Sequence, residues 1–400
     1  MAESQKEFGS RVARTRRLRG LSQVELAEKM NRSVAWMSQV ERGVRHIDRL
    51  SVLEELAEKL EVPLAELTAD SPAVSGQIPV SGYAERLRSV LLSARALPRA
   101  DSAGHVPDLA KLSAEVDTVW EQVHSGDYSK LPSILEPLIS ALDQACAEPD
   151  GANSVRVLLT SAYHALAAAF SKLGEFDPAW IASDRAFDTA RSSGDPLLTA
   201  VSVFRLSVVF QGARRYSYAE RVARDAAETL QGRFEELGDP ARSVWGALTL
   251  QRAIAAARSN EADRAYALIE AARSVAAVIG EGRNDYHTEF GPLNVAMHEV
   301  AVAVDLGDAG RALRVAETID PGSLSAERHC RLLIDIARAR TQRREGALAV
   351  RALVEAESLA PTITREHYSA QQITRDLLTL ADDPSEELRE LAKHVGILPR

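Results

Sequence analysis

Hydrophobic and polar residues alternate with the period of a helix along almost the whole chain. In residues 83–97 the apolar positions fall on one helical face: Tyr83, Leu87, Val90, Leu91, Ala94 and Leu97. The long Ala-rich segments of residues 108–400 contain few of the alternating β-branched positions that are typical of strands. The pattern predicts an all-α protein.

Two segments rich in Ser, Pro and Gly interrupt this pattern. Residues 68–82 read TADSPAVSGQIPVSG, and residues 98–107 read PRADSAGHVP. Such compositions are typical of loops and linkers. We therefore expect a helical domain over 1–67, a linker over 68–107 that contains one amphipathic helix at 83–97, and a second helical domain over 108–400.

The second domain has an internal repeat, which is clearest in residues 160–195. One apolar stripe includes Tyr163 and Phe170, Gly174 supplies a turn, and an answering stripe includes Phe176 and Ala179. Small residues recur at equivalent positions: Ala179, Ala219, Ala265, Ala312 and Ala347. The segment resembles the tetratricopeptide repeat. That resemblance implies five or six helical hairpins stacked into a solenoid, with the first helix of each hairpin on the concave face.

Two short helices are predicted within residues 16–43, RRLRGLSQVELAEKMNRSVAWMSQVERG. Ser22 and Glu25 fit a capping box that opens the first helix, and Leu26, Ala27 and Met30 give it an apolar face. Asn31 and Arg32 make the turn. Ser33 caps the second helix, whose buried residues are Met37 and Val40, and Gly43 follows its end. Two short helices joined by such a turn form a helix-turn-helix motif.

Residues 7–67 as a whole resemble the five-helix DNA-binding domains of the Xre/phage-repressor family. The matching positions are Leu21-Ser22-Gln23, Leu26-Ala27, Ser38 and Glu41-Arg42-Gly43, followed by Leu53, Leu56-Ala57 and Leu60. In that family the second helix of the motif enters the major groove. The resemblance also implies an internal salt bridge between Arg16 and Glu41.

The resemblance assigns roles to individual residues. Val34, Ala35 and Gln39 are expected to face the bases, with Ser33 at the helix start and Trp36 beside them near the backbone. Gln23 is expected to hold a phosphate, as are Arg42 and Arg45. An alternative for Val34 and Trp36 is packing in the core. With a single amide on the base-reading face, we expect shape readout and a homodimer on a two-fold site.

The charge distribution agrees with this assignment. Residues 1–49 contain eleven Lys and Arg against six Asp and Glu, although the whole chain carries a net charge of −9. A basic segment joined to an acidic body indicates that only the segment meets a polyanion. Double-stranded DNA is therefore the expected partner of the N-terminal domain.

The solenoid offers a second candidate site. By the repeat's pattern, polar residues on first helices are expected to face the concave side beside Ser161: His164, Lys172, Arg205, Gln211, Gln251, Asn294 and His298. Amides offer both a donor and an acceptor, which suits a peptide backbone. The alternative is that these residues are ordinary solvated polar positions.

No enzyme motif is found in the sequence. His298 and Glu299 begin like a zinc-protease helix, but Val302 stands where the second His is required. No phosphate-binding loop or nucleophile elbow occurs, and the two cysteines have no metal-ligand spacing. We expect no enzymatic activity, no metal and no cofactor. The absence of a long apolar run or signal segment predicts a cytoplasmic protein with no membrane partner.

The architecture resembles the RRNPP-type signal-responsive regulators of Gram-positive bacteria and related actinobacterial regulators. This resemblance implies a homodimeric transcriptional regulator whose operator binding is controlled by a peptide or small-molecule signal in the solenoid. The alternative is a DNA-binding regulator whose solenoid is an adaptor for a protein partner, with no small ligand.

Overall fold

Every regular element in the described residues is helical, which confirms the predicted all-α class. The structure is a computed structural model that describes residues 2–45, 47, 50–60, 62, 67, 82–93, 108–146, 152–381 and 384–398. These residues form two compact units, Met1–Pro79 and Val80–Arg400. Most of the predicted linker, residues 68–81 and 94–107, lies outside the described ranges.

The first unit contains four helices in its described part: α1 (Ala2–Leu18), α2 (Gln23–Lys29), α3 (Val34–Glu41) and α4 (Leu50–Lys59). They enclose a small apolar core whose fully buried members include Leu26, Met37 and Leu56. The fifth helix implied by the family resemblance falls where only Val62 and Leu67 are described.

The second unit is a series of helices with two short 3-10 turns, Asp285–His287 and Pro321–Ser323. Its helices are α5 (Gly82–Ser93), α6 (Leu109–Ser125), α7 (Leu131–Cys146), α8 (Ala152–Lys172), α9 (Phe176–Ser193), α10 (Pro196–Gly212), α11 (Tyr216–Gln231), α12 (Phe234–Arg258), α13 (Ala262–Ile279), α14 (Pro292–Leu306), α15 (Ala309–Ala316), α16 (Ala326–Gln342), α17 (Gly346–Leu359), α18 (Pro361–Glu366), α19 (Tyr368–Leu380) and α20 (Glu386–His394). From α6 to α17 consecutive helices pair as six hairpins.

Helix α5 belongs to the second unit. The sequence placed a helix at 83–97 inside the linker, whereas the structure has it at Gly82–Ser93, with residues 94–97 outside the described ranges. Ala84, Leu87 and Val90 are fully buried in the core that α6–α9 share. The apolar stripe read from the sequence is therefore the packing face of α5, and the unit begins before residue 108.

Five hairpin turns have the same backbone design. Each contains one residue with positive φ immediately before the cap of the second helix: Gly174, Arg214, Asn260, Gly307 and Arg344. The next residue occupies the N-cap position of the second helix. The fifth residue after the one with positive φ is a buried alanine. A left-handed residue reverses the chain, and a small side chain lets the two helices approach closely.

This register corrects one predicted position. Ala347 was expected to be the fifth equivalent small residue, but it is exposed, and Ala349 is buried in its place. Ala349 is five residues after Arg344, as Ala179 is five residues after Gly174. The sequence hides this register because an arginine, which seldom adopts positive φ, occupies the turn.

The ends of the hairpin series pack against one another. One hydrophobic core contains residues of α6–α9 together with residues of α16–α20, including Val119, Phe170, Cys330 and Leu353. In addition, α6 contacts α16 directly. This departs from an open solenoid, in which each repeat touches only its neighbours. The first helices of the series therefore enclose an interior rather than line an open groove.

The segment between α13 and α14, residues 280–291, is called the inner loop below. Phe290 of this loop is fully buried against Gly246 of α12, where a Cβ atom would overlap the Phe290 ring. We therefore expect Gly246→Ala to destabilise the second unit by about 1–3 kcal/mol, because the ring must move out of a packed core. Thermal unfolding monitored by tryptophan fluorescence measures the effect.

Gly232→Ala is the matched control. Gly232 has a φ of −69°, and its Cβ would come no closer than 4.0 Å to any neighbour. This substitution should leave the melting temperature unchanged or raise it slightly. Equal destabilisation by both substitutions would contradict the assigned packing of the inner loop.

Candidate nucleic-acid interface and ligand site

The α2–turn–α3 segment folds as its sequence predicts. The Ser22 Oγ accepts from the Glu25 N–H at 3.1 Å, and the Glu25 carboxylate accepts from the Ser22 N–H at 2.7 Å. Asn31 adopts a φ of 54° in the turn. The Ser33 Oγ then accepts from the Trp36 N–H at 3.1 Å and caps α3. The two caps satisfy N–H groups that helix starts leave unpaired, and they fix where each helix begins.

A buried ion pair fastens α3 to α1. The Arg16 Nε and Nη2 donate to the two carboxylate oxygens of Glu41 at 2.5 and 2.9 Å, and the Arg16 Nη1 donates to the Leu21 carbonyl at 2.7 Å. The two side chains are only 11% and 5% exposed. The salt bridge predicted from the resemblance is thus confirmed, and it links α1, the α1–α2 turn and the end of α3.

Gln23 takes part in the same network. Its Nε2 donates to the Glu41 Oε2 at 2.7 Å. Burial alone raises the pKa of Glu41, but the hydrogen bonds from Arg16 and Gln23 outweigh it and lower the pKa below its usual value. The amide that was assigned to a phosphate therefore has an internal partner, which the sequence analysis did not anticipate.

Gly9 permits the close approach of α1 and α3. A Cβ atom at this position would lie 2.5 Å from the Val40 carbonyl oxygen and 2.6 Å from that of Glu41. The end of α3 therefore rests on the backbone of α1. Together with the ion pair, this contact leaves α3 little freedom to rotate about its own axis.

The opposite side of α3 is open to solvent. Val34 is 41% exposed, Ser33, Ala35, Arg42 and Arg45 are exposed as well, and Gln39 is half-buried. The core contacts of α3 come instead from Met37 and Val40, which are fully buried. The residues predicted to face DNA thus share the uncovered face of α3 and the segment just after it.

Trp36 divides its surface between core and solvent. Its ring packs against the apolar core and is half-buried, and the Arg32 guanidinium lies 5.7 Å from its centroid. Core packing was the alternative for Val34 and Trp36. It holds for part of Trp36, whereas Val34 remains exposed.

In the second unit, three of the predicted ligand residues lie in one region of the interior. The His164 Nε2 is 2.8 Å from the Ser202 Oγ, and burial, with Arg205 and His287 adding to it, holds the pKa of His164 well below its ordinary value. The Lys172 Nζ lies 3.2 Å from the Glu327 Oε2 and so bridges α8 and α16. The Arg205 Nη2 donates to the His287 carbonyl at 2.7 Å.

The two glutamines form a separate pair. The Gln211 Nε2 donates to the Gln251 backbone carbonyl at 3.0 Å and to the Gln251 Oε1 at 2.7 Å. The Gln211 Oε1 accepts from Arg258 at 3.3 Å. These amides connect the first helices of neighbouring hairpins. The donors and acceptors of Gln211 expected to be available to a peptide are therefore engaged within the protein.

Asn294 and His298 are also bonded to protein groups. The Asn294 side chain reaches the Thr288 carbonyl at 3.5 Å, and the His298 Nδ1 donates to the Asn294 carbonyl at 2.9 Å. Burial lowers the pKa of His298 to about 3. Its imidazole is consequently neutral at physiological pH.

The interior also contains an aromatic centre that was not predicted from the sequence. The Trp120 indole of α6 stacks on the His287 imidazole of the inner loop, with centroids 4.1 Å apart and planes inclined by 7°. His124 lies beside both rings, at 5.5 and 5.7 Å. No spacing rule relates residues so far apart in the chain, and only the meeting of the hairpin ends brings them together.

Comparison with known proteins agrees with the geometry of the first unit. Residues 7–69 match the family described as a helix-turn-helix domain. The N-terminal unit is a helix-turn-helix domain.

One similar solved structure is that of PlcR from Bacillus thuringiensis in complex with the peptide PapR7 and DNA. It is 14% identical, with a TM-score of 0.30, over 68% of this chain and 95% of that one. No curated protein matches the chain. A likeness at this level carries no argument about the function of the second unit.

Two other kinds of feature are absent from the described residues. None of the helices there combines the length and apolar character that crossing a bilayer requires. Within the same residues, no group of three or more His, Cys, Asp or Glu side chains is arranged to hold a metal ion.

The Arg16–Glu41 pair should make the stability of the helix-turn-helix domain depend on pH. Because the folded pKa of Glu41 is lowered, its contribution is complete above the pKa of the unfolded chain and is lost as pH falls through the folded value. Glu41→Gln should cost about 3 kcal/mol at pH 7, since it leaves Arg16 buried without a counter-charge. Amide hydrogen exchange of α1–α3, measured from pH 7 down to pH values below the usual pKa range of a glutamate, reports both effects.

Glu28→Gln provides the control, because Glu28 is exposed on α2. It should leave the exchange of α1–α3 unchanged. If Glu41→Gln behaved like Glu28→Gln, the ion pair would not be what holds α3 in place.

Proposed function

We propose that the protein is a sequence-specific transcriptional regulator that inserts α3 of its helix-turn-helix domain into the major groove of duplex DNA. The observation that carries this proposal is the division of α3 into two faces. Met37 and Val40 supply its packing, while Val34, Ala35 and Arg42 remain uncovered. An exposed helix face held rigidly from behind is what groove reading requires.

The chemistry of the exposed residues suggests their roles. The Gln39 amide can bind adenine through two hydrogen bonds, and the Val34 or Ala35 side chain can contact a thymine methyl group. Arg42 and Arg45 follow at the end of α3, where they would contact phosphates. Ser33 and Trp36 border this surface. Gln23 would reach a phosphate only with the part of its amide that Glu41 does not engage.

The charge distribution also supports DNA binding by the N-terminal domain. Residues 1–49 are basic, whereas the chain as a whole carries a net charge of −9. Phosphates therefore attract residues 1–49, which include α1–α3, and repel the acidic remainder of the chain. One small domain gives limited discrimination among sequences. We therefore propose that the protein binds as a homodimer to two half-sites about 34 Å apart. We also propose that it acts in the cytoplasm.

We further propose that a signal bound in the interior of the second unit controls DNA binding. The support is the number of charged and polar groups that line this interior, among them Lys172, Arg205, Glu327 and His164. Proteins rarely bury such groups, and where they do, the groups often belong to a functional site. A ligand that favours one arrangement of the hairpins would shift the population that can occupy both half-sites.

The second candidate function, an adaptor with no small ligand, is favoured by one observation. Trp180 and Tyr218 are 53% and 49% exposed, and both rings contact Phe210. An exposed aromatic patch is typical of a protein-binding surface. A protein partner that the full chain binds, and that Trp180→Ala releases, would support the adaptor. A rise in melting temperature with a peptide or metabolite would support the sensor.

The DNA-binding proposal predicts the behaviour of two variants on a duplex selected by the full-length protein from random sequences. Gln39→Ala should weaken binding by about 1–3 kcal/mol and relax the choice of base at one position. Arg42→Ala should weaken binding to all duplexes and reduce the salt slope by about 1. Fluorescence anisotropy across a range of salt concentrations measures both changes.

Lys59→Ala at the end of α4 is the control. It should preserve affinity and base preference, and circular dichroism should show unchanged helicity in all three variants. Unchanged affinity and base preference for the Gln39 and Arg42 variants would refute the assignment of α3.

A further inference from the structure

Arg205 is a half-buried cation without a carboxylate partner. Its Nη2 donates to a neutral acceptor, the His287 carbonyl oxygen, and its Nε has no hydrogen-bond partner. Among the described residues, no carboxylate lies within ion-pair distance of Arg205. Desolvation lowers the pKa of Arg205 to about 10, although the more distant Glu289 and Glu327 act in the opposite direction.

Other arginines of the interior differ from Arg205 in this respect. Arg258 and Arg338 both contact the carboxylate of Asp305, at 3.0 and 2.7 Å. Arg328 lies 3.3 Å from the carboxylate of Glu289. A buried charge without a counter-ion is costly, so proteins normally pair it in this way. The chemical complement of such a cation is an anion.

A flat aromatic surface adjoins this cation. The guanidinium of Arg205 lies 4.9 Å from the centroid of the Trp120 ring. The indole of Trp120 is held in orientation by its Nε1, which donates to the Ser161 Oγ at 2.9 Å. Trp120 belongs to α6 and Arg205 belongs to α10, and both are first helices of hairpins. The ring that covers Trp120, His287, comes instead from a loop.

The inner loop adopts a conformation that its own residues disfavour. Tyr286, His287 and Glu289 have φ values of 53°, 57° and 50°. The left-handed region is unfavourable for a non-glycine residue, because its Cβ atom comes too close to the following carbonyl oxygen. Contacts with the interior must offset this cost, chiefly the stack on Trp120 and the bonds from Arg205 and Arg328. A competitor for those contacts would release the loop.

We propose that Trp120 and Arg205 form a binding site for a planar ring that carries a carboxylate, and that the inner loop fills this site when no ligand is bound. The His287 ring occupies the position of the ligand ring, and its carbonyl oxygen occupies that of the anion. The inference deepens the proposed signal control, since it names the chemistry of the signal and the segment that the signal displaces.

Replacement of the inner loop by a ligand should be favourable at Arg205 and costly for the loop itself. A carboxylate gives Arg205 a hydrogen bond in which both donor and acceptor are charged, in place of one to a neutral carbonyl. Binding must, however, compete with the closed loop, which reduces apparent affinity by the fraction of molecules that are open. Removing the His287 ring should therefore increase affinity, whereas removing the Arg205 charge should abolish it.

Calorimetry on the full-length chain tests this with indole-3-acetate as the probe. His287→Ala should bind the probe at least tenfold more tightly than the natural chain. The methyl ester, which lacks the charge, and acetate, which lacks the ring, should bind at least tenfold more weakly than the probe. The His329 imidazole lies 3.9 Å from the Glu355 carboxylate of α17, and His329→Ala should resemble the natural chain. Equal affinity of the His287 and His329 variants, or equal binding of the ester, would overturn the proposal.

A second substitution tests the cation. Adding Arg205→Gln to His287→Ala should abolish binding of the probe, while Arg205→Lys in the same background should retain part of it. Circular dichroism checks that each variant is folded. Undiminished binding by the Arg205→Gln variant would overturn the assignment of the anion site.

Hydrogen exchange on the natural chain gives an answer that needs no variant. Saturating indole-3-acetate should accelerate exchange of the amides in residues 281–290 and protect those around Trp120. Unchanged exchange in the loop at saturation would contradict its displacement. Because these measurements contain no DNA, their failure would leave the DNA-binding proposal standing, and loss of DNA binding by α3 variants would leave the ligand site standing.

The dipeptide Ala-Trp distinguishes the two sources of such a ligand. If the signal is the carboxyl end of a peptide, Ala-Trp should bind His287→Ala more tightly than indole-3-acetate does, and its amide should bind weakly. If the signal is a free aromatic acid, the order should reverse. Ala-Trp and its amide binding alike, with indole-3-acetate no tighter than its ester, would overturn the site.

Discussion

The ion pair between Arg16 and Glu41 is the interaction on which the candidate DNA-binding surface depends. Glu41 lies at the end of α3, and Arg16 lies near the end of α1, so their paired hydrogen bonds determine how α3 is rotated in the domain. Gly9 lets the two helices touch at the backbone beside this pair. With Met37 and Val40 turned inward, Val34, Ala35 and Arg42 are turned outward. A surface that reads bases needs this rigidity, because small errors in position remove hydrogen bonds.

The repeats of the second unit share one structural arrangement, which differs from that of the first unit. A residue with positive φ reverses the chain, and a buried alanine five positions later lets the second helix pack closely. The arrangement does not depend on glycine, since Arg214, Asn260 and Arg344 take the left-handed conformation as well. Because the hairpin ends meet in one core, polar residues of the first helices are enclosed and bond to each other. The polar groups of the interior consequently form a network of partners, in which Arg205 has no carboxylate within ion-pair distance among the described residues.

Local features of both units could be predicted from the sequence, because they arise from neighbouring residues. The Ser22 capping box, the turn at Asn31 and the buried face of α3 all follow from short-range spacing, and the structure has each of them. The repeat was also evident, but its last position was placed at Ala347 instead of Ala349. The reason is physical: Arg344 carries no sign of positive φ in its side chain.

Long-range features could not be predicted in this way. Periodicity shows that Lys172 and Arg205 lie on first helices, but not that Lys172 meets Glu327 or that Arg205 meets His287. These contacts require the hairpin ends to come together, which no spacing rule encodes. The stack of Trp120 on His287 was missed for the same reason, as was the bond from Gln23 to Glu41. Residues chosen for a ligand by position alone proved to have protein partners.

The central claim is that α3 is the part of the chain that meets DNA. Hydrogen exchange of the full-length protein, free and bound to its selected duplex, tests this most directly, because it reports every segment in one experiment. If α3 lies in the groove, protection on binding should be concentrated in residues 33–45, with weaker protection at the start of α2. Protection confined to residues 152–381, with residues 33–45 exchanging as in the free protein, would contradict it.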